Sequence, residues 1–189
     1  MFSRGNIREK ARVLGFPGVA GAEVADLYAG IGYFVFCYLK AGARRVWCWE
    51  VNPWSVEALR RGCGMNGWSV KVVRGEEWTD NGESVVVFEE SNEFAVGRMA
   101  GRKVGHVNMG LLPTSRGAYA TAVRLLEEGG WAHVHENVGE GEVEEKRRSV
   151  VEEFERLSGG LMKCDHVERV KTFAPGVVHC VFDVHAVKL

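Results

Sequence analysis

Short apolar runs alternate with helix-like segments along most of the chain. The runs are rich in valine and aromatic residues, and turn-forming residues stand between many of them, which is typical of strands joined by helices. Val70–Val73 and Val85–Phe88 are both candidate strands. The second is more apolar and leads into a helical pattern, so we assign it as the third strand of the sheet. The predicted strands are residues 23–28, 45–50, 85–88, 104–111, 131–138, about 166–173 and about 177–187.

The segments between these strands carry helix signals. Asn52 is a helix cap and Pro53 suits a first turn, so a helix is predicted from there to about Met65, and Asn66-Gly67 ends it. The charged run at 140–157 has apolar residues at helical spacing and predicts an amphipathic surface helix. The other predicted helices cover residues 33–42, 94–99 and 115–128.

Strand–helix alternation five times over, followed by two strands close enough to pair as an antiparallel hairpin, predicts an α/β fold with a doubly wound sheet. The sequence has no linker, internal repeat or low-complexity segment. We therefore expect one domain over residues 23–189, preceded by an N-terminal arm over residues 1–22.

Composition and charge exclude several classes of protein. With 46% hydrophobic and 26% charged residues, the 189-residue chain is typical of globular proteins. Its 24 Lys and Arg against 25 Asp and Glu give no overall basic charge that would mark nucleic-acid binding, although a local patch suffices. Five widely spaced cysteines without C-x-x-C exclude a disulfide framework and favour a reducing, cytoplasmic setting. No apolar run approaches the roughly 18 residues of a membrane span, so we expect no membrane partner.

The turn after the first strand has the composition of a ligand-binding loop. Gly30 and Gly32 allow close backbone approach where doubly wound sheets bind ligands. A dinucleotide motif G-x-G-x-x-G would need glycine where Val35 stands. Glu50 ends the second strand and is placed to bind both ribose hydroxyls. Ribose recognition without a diphosphate loop favours S-adenosylmethionine over NAD; the alternative is that the glycines only shape the turn.

Several stretches together carry a more specific resemblance. They are DLYAGIGYFVFCYLKAGARRVWCWEVNPWSVEALRRG, ESNEFA, NMGLLPTS and HVHENV, preceded by FSRGNIREKAR. Over nearly its whole length the chain resembles the tRNA wybutosine-synthesizing enzyme 2 family, particularly its fungal members, which is related to the tRNA guanine-37 methyltransferases. The E-x-N-P at Glu50–Pro53 fits this family better than the D-x-N-P of the methyltransferases.

The resemblance implies a Rossmann-like, class I S-adenosylmethionine-dependent methyltransferase fold with S-adenosylmethionine as cofactor. It also implies transfer of the 3-amino-3-carboxypropyl group to carbon 7 of 4-demethylwyosine at position 37 of tRNA(Phe), beside the anticodon. Family members have a sizeable portion before F-S-R-G-N that contributes to tRNA binding, whereas this chain begins at Met1-Phe2, either as an excised catalytic domain or as a shortened homologue. We expect it to retain cofactor binding and to need that region for full tRNA binding.

Each part of the cofactor has candidate residues. Asp26 and the glycine loop would hold the methionine end, and Glu50 the ribose. Asn92 is the candidate for the adenine edge, and Glu76 competes for that role if Val70–Val73 is the third strand. The predicted cofactor residues are Asp26, Tyr28, Gly30, Gly32, Glu50, Asn52, Glu90, Asn92 and Asn108.

The ends of the fourth and fifth strands carry the candidate catalytic residues. The loop from Asn108 to Pro113 is expected to line the gap between cofactor and target base, and Asn137 ends the fifth strand. His135 would either accept the proton that carbon 7 loses after attack or serve as a structural histidine. His133 shares its face, but no motif supplies a third ligand, so we predict no metal site. The predicted catalytic residues are Asn108, His135 and Asn137.

Contacts with the tRNA anticodon loop are expected from the N-terminal arm, where an arginine fork matches a carboxylate or phosphate. The predicted substrate residues are Arg4, Asn6, Lys10 and Pro113. Trp47 and Trp49 alternate on one strand face and are predicted to be core, whereas Trp54 stands beside the cofactor acid. Two rival functions stay open: a tRNA methyltransferase with the same fold, and a cofactor-binding module without catalysis.

Overall fold

Within residues 4–187, the part of the chain that the structure describes, eight strands form one sheet. The structure is a computed structural model, and the side chain of Arg4 lies outside its described part. The strands are β1 (Glu23–Asp26), β2 (Arg45–Trp49), β3 (Val70–Val73), β4 (Val85–Phe88), β5 (Val104–Met109), β6 (Leu126–Gly139), β7 (Met162–Ala174) and β8 (Val177–Ala186). The helices are α1 (Ile7–Leu14), α2 (Val35–Lys40), α3 (Pro53–Met65), α4 (Ala95–Met99), α5 (Tyr119–Leu125) and α6 (Val143–Ser158).

The sheet has the order β3-β4-β2-β1-β5-β6-β8-β7. Its first six strands are parallel, and β8 runs antiparallel between β6 and β7. This confirms the predicted α/β sheet and its terminal antiparallel hairpin. The two strands of the hairpin do not follow chain order in the sheet: β8 pairs with β6, and β7 forms the edge of the sheet.

Each face of the sheet buries its own core, because successive side chains of a strand point to opposite faces. In β2, Val46 and Cys48 belong to the core under α1, α2 and α3, whereas Trp47 and Trp49 belong to the core under α4, α5 and α6. The two tryptophans are 0% and 1% exposed, which confirms their predicted core role.

Both candidate strands after α3 are real. Val85–Phe88 lies beside β2, as assigned, and Val70–Val73 pairs with it as a parallel edge strand. The prediction of five parallel strands was therefore one strand short. A parallel neighbour requires a crossover connection, and here the connection is a loop whose Trp78 packs edge-on against Phe88, with ring centroids 5.3 Å apart.

The predicted helix 115–128 and strand 131–138 meet earlier than expected. The helix ends at Leu125, and β6 begins at Leu126. The register between β5 and β6 shifts at Val104/His106, and Gly129 in this stretch has φ +77°. A glycine-containing irregularity within a strand therefore had the sequence appearance of a helix end followed by a turn.

The N-terminal arm contains α1, which packs against α2 and is joined to the sheet by ion pairs between side chains. Arg12 binds Asp183 of β8 and also Glu9, with Nη2 2.7 Å from Glu9 Oε1. His133 Nδ1 lies 2.7 Å from Asp183 Oδ1, and His106 Nδ1 lies 3.1 Å from His133 Nε2. We call these five residues the arm network. Among the helices of residues 4–187, none has the length and apolar character needed to cross a bilayer.

Candidate cofactor and substrate site

Three adjacent parallel strands bring the candidate cofactor residues to one edge of the sheet. Asp26 pairs in register with Cys48 of β2 on one side and with Asn108 of β5 on the other. The chain leaves β1 toward β2 on one side, while β5 lies on the other. This is the switch point at which doubly wound sheets bind ligands.

Hydrogen bonds join Glu50 to the glycine loop and to the start of the helix that follows β2. Gly30 N–H donates to Glu50 Oε2 and Asn52 N–H donates to Glu50 Oε1, each at 2.8 Å. Asn52 Oδ1 in turn accepts from Trp54 N–H at 3.0 Å, which confirms the predicted cap of α3. Each carboxylate oxygen has a second acceptor position, so the half-buried Glu50 keeps capacity for two hydroxyl donors.

Gly32 makes room for the helix that follows the loop. Its φ is +94°, and a Cβ at this position would lie 2.7 Å from the ring of Phe36. Gly30 also has a positive φ, +55°, but a Cβ there would meet only the Tyr33 ring, at an ordinary contact distance of 3.9 Å. The two glycines thus serve different ends: Gly32 is required by packing, whereas Gly30 presents its backbone N–H to Glu50.

Asp26 is a buried acid at the centre of this edge. Burial raises its pKa to about 6, opposed by the Asn108 amide and by the Tyr28 N–H, which donates to Oδ1 at 3.2 Å. The charge of Glu50 raises it further. The ionised carboxylate is therefore poorly compensated in the protein alone, and a cation at this position would stabilise it.

We expect Asp26→Asn to stabilise the free protein. The folded state holds the Asp26 proton between pH 3.8 and about 6, where the unfolded chain has released it, so the unfolding free energy falls as pH rises through this window. Above pH 6, keeping Asp26 ionised in the folded state lowers the unfolding free energy by about 3 kcal/mol. A neutral asparagine does not carry this cost. Urea unfolding at pH 8 and pH 4 measures a gain that shrinks in acid. Asp80→Asn is the control: it should lower the unfolding free energy instead of raising it, because Arg45 lowers the pKa of Asp80. A gain in stability for Asp26→Asn that is the same at pH 8 and pH 4 would contradict the prediction.

The loop after β5 lies against the glycine loop. A Cβ on Gly110 would lie 3.4 Å from Asn108 Nδ2 and 3.8 Å from the ring of Phe34, so glycine permits this close approach. Asn108 is 1% exposed, and its Nδ2 has no hydrogen-bond partner among residues 4–187. The amide is nevertheless close enough to Asp26 to lower the pKa of that acid. The loop returns to β6, where Asn137 N–H donates to the carbonyl of Pro113 at 2.8 Å.

The ring of His135 packs against that of Phe34, with ring centroids 5.1 Å apart. Its Nδ1 is 3.0 Å from His179 Nε2, and burial together with His179 lowers its pKa well below the usual value. The ring is therefore neutral but weakly basic, which favours the structural interpretation over the proton acceptor. Asn137 reaches the same edge, and both polar atoms of its amide are without a partner in the described part of the chain.

The three candidates for the adenine side of the cofactor site lie in different surroundings. Asn92 Nδ2 donates to the carbonyl of Leu27 at 2.9 Å and so lies against the end of β1. Glu90 is engaged by Arg98 through contacts of 2.9 and 2.5 Å. Glu76 follows β3, which β4 and β2 separate from β1. The geometry favours Asn92 over Glu76 as the polar group nearest the cofactor site, and a direct role for Glu90 would require it to leave Arg98.

The N-terminal arm approaches the glycine loop. Lys10 Nζ lies 5.0 Å from the ring centroid of Tyr33, which follows Gly32. Asn6 precedes α1, and its Oδ1 is buried without a partner within residues 4–187. The predicted contact of the Arg4 side chain lies outside the described residues. In the described part no group of three or more acidic, histidine or cysteine side chains is arranged to hold a metal ion.

The sequence comparison decides the family. A model of the TRM5/TYW2 methyltransferase domain matches residues 1–165. The chain belongs to the TRM5/TYW2 methyltransferase domain family. Its matched part contains the glycine loop, Glu50 and the loop after β5, so the resemblance seen in these motifs is confirmed.

Relatives with this domain are similar over nearly the whole chain. tRNA wybutosine-synthesizing protein 2 of Schizosaccharomyces pombe is 46% identical over 99% of the chain and 46% of its own length. The Saccharomyces cerevisiae protein of that name is 37% identical, over 99% of the chain and 44% of its own length. The chain thus spans less than half of these two relatives. The crystal structure of M. jannaschii TYW2 in complex with AdoMet matches with a TM-score of 0.80 and 25% identity, covering 100% of this chain and 78% of that one.

The sequence did not single out one basic residue, Lys171 of β7, that the fold brings to the N-terminal arm. Lys171 of β7 lies against the arm, with Nζ 2.8 Å from the position of a Cβ on Gly5. It lies opposite His179 in register and lowers the pKa of that histidine, which burial lowers first, to about 4. No sequence signal separates Lys171 from the other basic residues, because its place depends on the hairpin folding back onto the arm.

Proposed function

We propose that the chain is the catalytic domain of an S-adenosylmethionine-dependent transferase that moves the 3-amino-3-carboxypropyl group onto carbon 7 of 4-demethylwyosine at position 37 of tRNA(Phe). The observation that supports this cofactor is the arrangement of Glu50, which accepts hydrogen bonds from the N–H groups of Gly30 and Asn52, beside the buried acid Asp26. The names of the relatives and the AdoMet complex of M. jannaschii TYW2 support the reaction.

The residues at the strand ends fit this cofactor. Glu50 retains acceptor positions for the ribose hydroxyls, Asn92 would contact the edge of the adenine, and Asp26 offers an undercompensated carboxylate to a cationic methionine end. When bound, the cofactor supplies carbons activated by a sulfonium. The chain decides which of them faces the base, because attack must be in line with the carbon–sulfur bond, and positioning of this kind supplies much of the catalysis.

The substrate side is formed by the loop after β5, the end of β6 and the arm. Asn108, Pro113 and Asn137 would line the gap next to the base, and Arg4, Asn6 and Lys10 would contact the tRNA anticodon loop. His135 would be a structural histidine beside this gap, because its lowered pKa makes it a weak base, and the proton acceptor at carbon 7 is the alternative role. The five cysteines are free, which suits the proposed cytoplasmic compartment.

The decisive experiment uses cofactor labelled separately on the methyl group and on the aminocarboxypropyl chain, incubated with the protein and precursor tRNA. We expect only the aminocarboxypropyl label on the purified base. Methyl label on the base would overturn the proposal in favour of the methyltransferase alternative. Cofactor binding by calorimetry without transfer of either label, even when the N-terminal region of a relative is supplied, would instead identify a non-catalytic module.

A further inference from the structure

The carboxylate of Glu136 lies at the carboxyl end of β6 and is 1% exposed. Its Oε1 accepts from the hydroxyls of Tyr119 at 2.7 Å and Thr114 at 2.8 Å, and from the Ser115 N–H at 3.2 Å. Its Oε2 lies 3.0 Å from Lys146 Nζ. A buried carboxylate is tolerated only when it is well compensated, and here four donors surround it.

Two of these donors belong to the segment Leu111–Ser115, which continues the loop after β5. Thr114 pairs with Glu136 as an isolated antiparallel bridge. Asn137 N–H donates to the carbonyl of Pro113, and Ser115 Oγ donates to the carbonyl of His135 at 3.1 Å. The second half of the segment, residues 113–115, is therefore attached to the end of β6, and Glu136 is the charged centre of the attachment.

The segment has few other means of holding its place. Leu111 is 42% exposed, and Thr114 is also exposed. Little apolar burial therefore fixes its conformation, whereas its hydrogen bonds to β6 are directional. Gly110 and Asn108 precede the segment and lie against the glycine loop, so a displacement of the segment would be transmitted to the wall of the cofactor site.

We propose that Glu136 is a positioning residue: it holds the segment Leu111–Ser115 in place so that the loop after β5 lines the gap between cofactor and target base. This inference rests on the proposed function, because the gap is the one across which the group is transferred. Tyr119 and Lys146 extend the anchor to α5 and α6. Glu136 itself touches neither cofactor nor base.

Glu136→Gln tests the proposal. Glutamine has one acceptor oxygen and brings two N–H donors toward a site already crowded with donors. We expect kcat to fall about 10- to 100-fold, the range produced by small misplacement of groups at a reacting centre. Cofactor affinity, measured by calorimetry, should change less than about threefold. Glu50 and the glycine loop are held by hydrogen bonds of their own, and Asn108 is held by the pairing of β5 with β1, so the displacement should be largest at the base side of the gap. Amide hydrogen exchange of the four non-proline residues of 111–115 should become faster, most of all at Ser115, whose N–H donates to Glu136.

Tyr119→Phe is the milder second variant, since it removes one donor and leaves the charge and the packing of the ring. Its effect on kcat should be smaller than that of Glu136→Gln and should largely disappear in the double variant, because both changes break one contact. Glu128→Gln is the matched control: Glu128 is exposed on the same strand, and its variant should match the parent protein.

The alternative is a purely structural role for Glu136. Lowered unfolding stability with unchanged kcat and unchanged exchange at 111–115, measured below the melting range, would overturn the proposal. So would a loss of cofactor affinity as large as the loss in kcat. If the parent protein transfers no group, the proposed function fails by itself; faster exchange at 111–115 in Glu136→Gln then still supports the anchor, and unchanged exchange overturns it.

Discussion

Replacing Arg12 with methionine is expected to lower the unfolding free energy by about 3–5 kcal/mol, the usual result of removing one partner from a buried ion pair. Arg12 is the only cation in the arm network that is charged at every working pH. Its removal leaves Glu9 and Asp183, each 1% exposed, without their common partner. The methionine keeps most of the aliphatic packing, so the loss reports the charge rather than the volume.

The pH dependence gives this prediction a second measurement. His133 and Arg12 hold the pKa of Asp183 below its usual value against the effect of burial. The stability that Asp183 contributes is therefore present above the pKa of an unfolded aspartate and is lost as pH falls through the lower folded value. Without Arg12 the folded pKa rises, so Arg12→Met should flatten or reverse this acid-side loss.

Urea unfolding at pH 7 and in an acid series measures both effects. Arg60→Met is the control, because Arg60 pairs with Glu57 on an exposed helix surface, where solvent screens the pair and its contribution to stability is small. Adding Asp183→Asn to Arg12→Met should restore part of the stability, since it removes a buried charge that has lost its arginine and keeps only His133 as a partner. A loss below 1 kcal/mol for Arg12→Met would show that water compensates the acids and that the arm is not held by this network.

The arm network shows why part of the fold was not predictable from sequence. Arg12 and Asp183 stand 171 positions apart, and each looks like an ordinary surface charge within its own segment. Only the position of β8 between β6 and β7 brings Asp183 beneath α1. Long-range pairing of this kind leaves no local signature, in contrast to a capped helix such as α3, whose start is encoded by Asn52 and Pro53.

The cofactor edge was predictable for the opposite reason. The glycine loop and Glu50 lie only 20 positions apart, at the ends of adjacent strands, and parallel strands place their carboxyl ends together. The same logic placed Asn108 and Asn137. It did not identify Glu136 as an anchor, because its donors come from a loop and two helices that converge only in the folded chain.

Glu50→Ala is expected to weaken cofactor binding at least about 100-fold. A hydrogen bond to a charged group contributes about 1.5–3 kcal/mol, and the carboxylate would make two with the ribose. The substitution also removes the acceptor of the Gly30 and Asn52 N–H groups, so the glycine loop loses its fixed position at the same time. Glu50→Asp is the sharper variant: it keeps the charge but, one methylene shorter, cannot reach both N–H groups and both hydroxyls, and we expect an intermediate loss.

Calorimetry with S-adenosylmethionine and with S-adenosylhomocysteine measures this prediction without any need for turnover. Glu57→Ala serves as the control, because Glu57 lies on the neighbouring helix and binds only Arg60 and Arg61 among residues 4–187. Both cofactor forms should lose affinity equally in Glu50→Ala, since they share the ribose and differ at the sulfur. Unchanged affinity would remove the ribose assignment. A loss confined to S-adenosylmethionine would instead place Glu50 beside the sulfonium, where a negative charge stabilises the cation rather than the sugar.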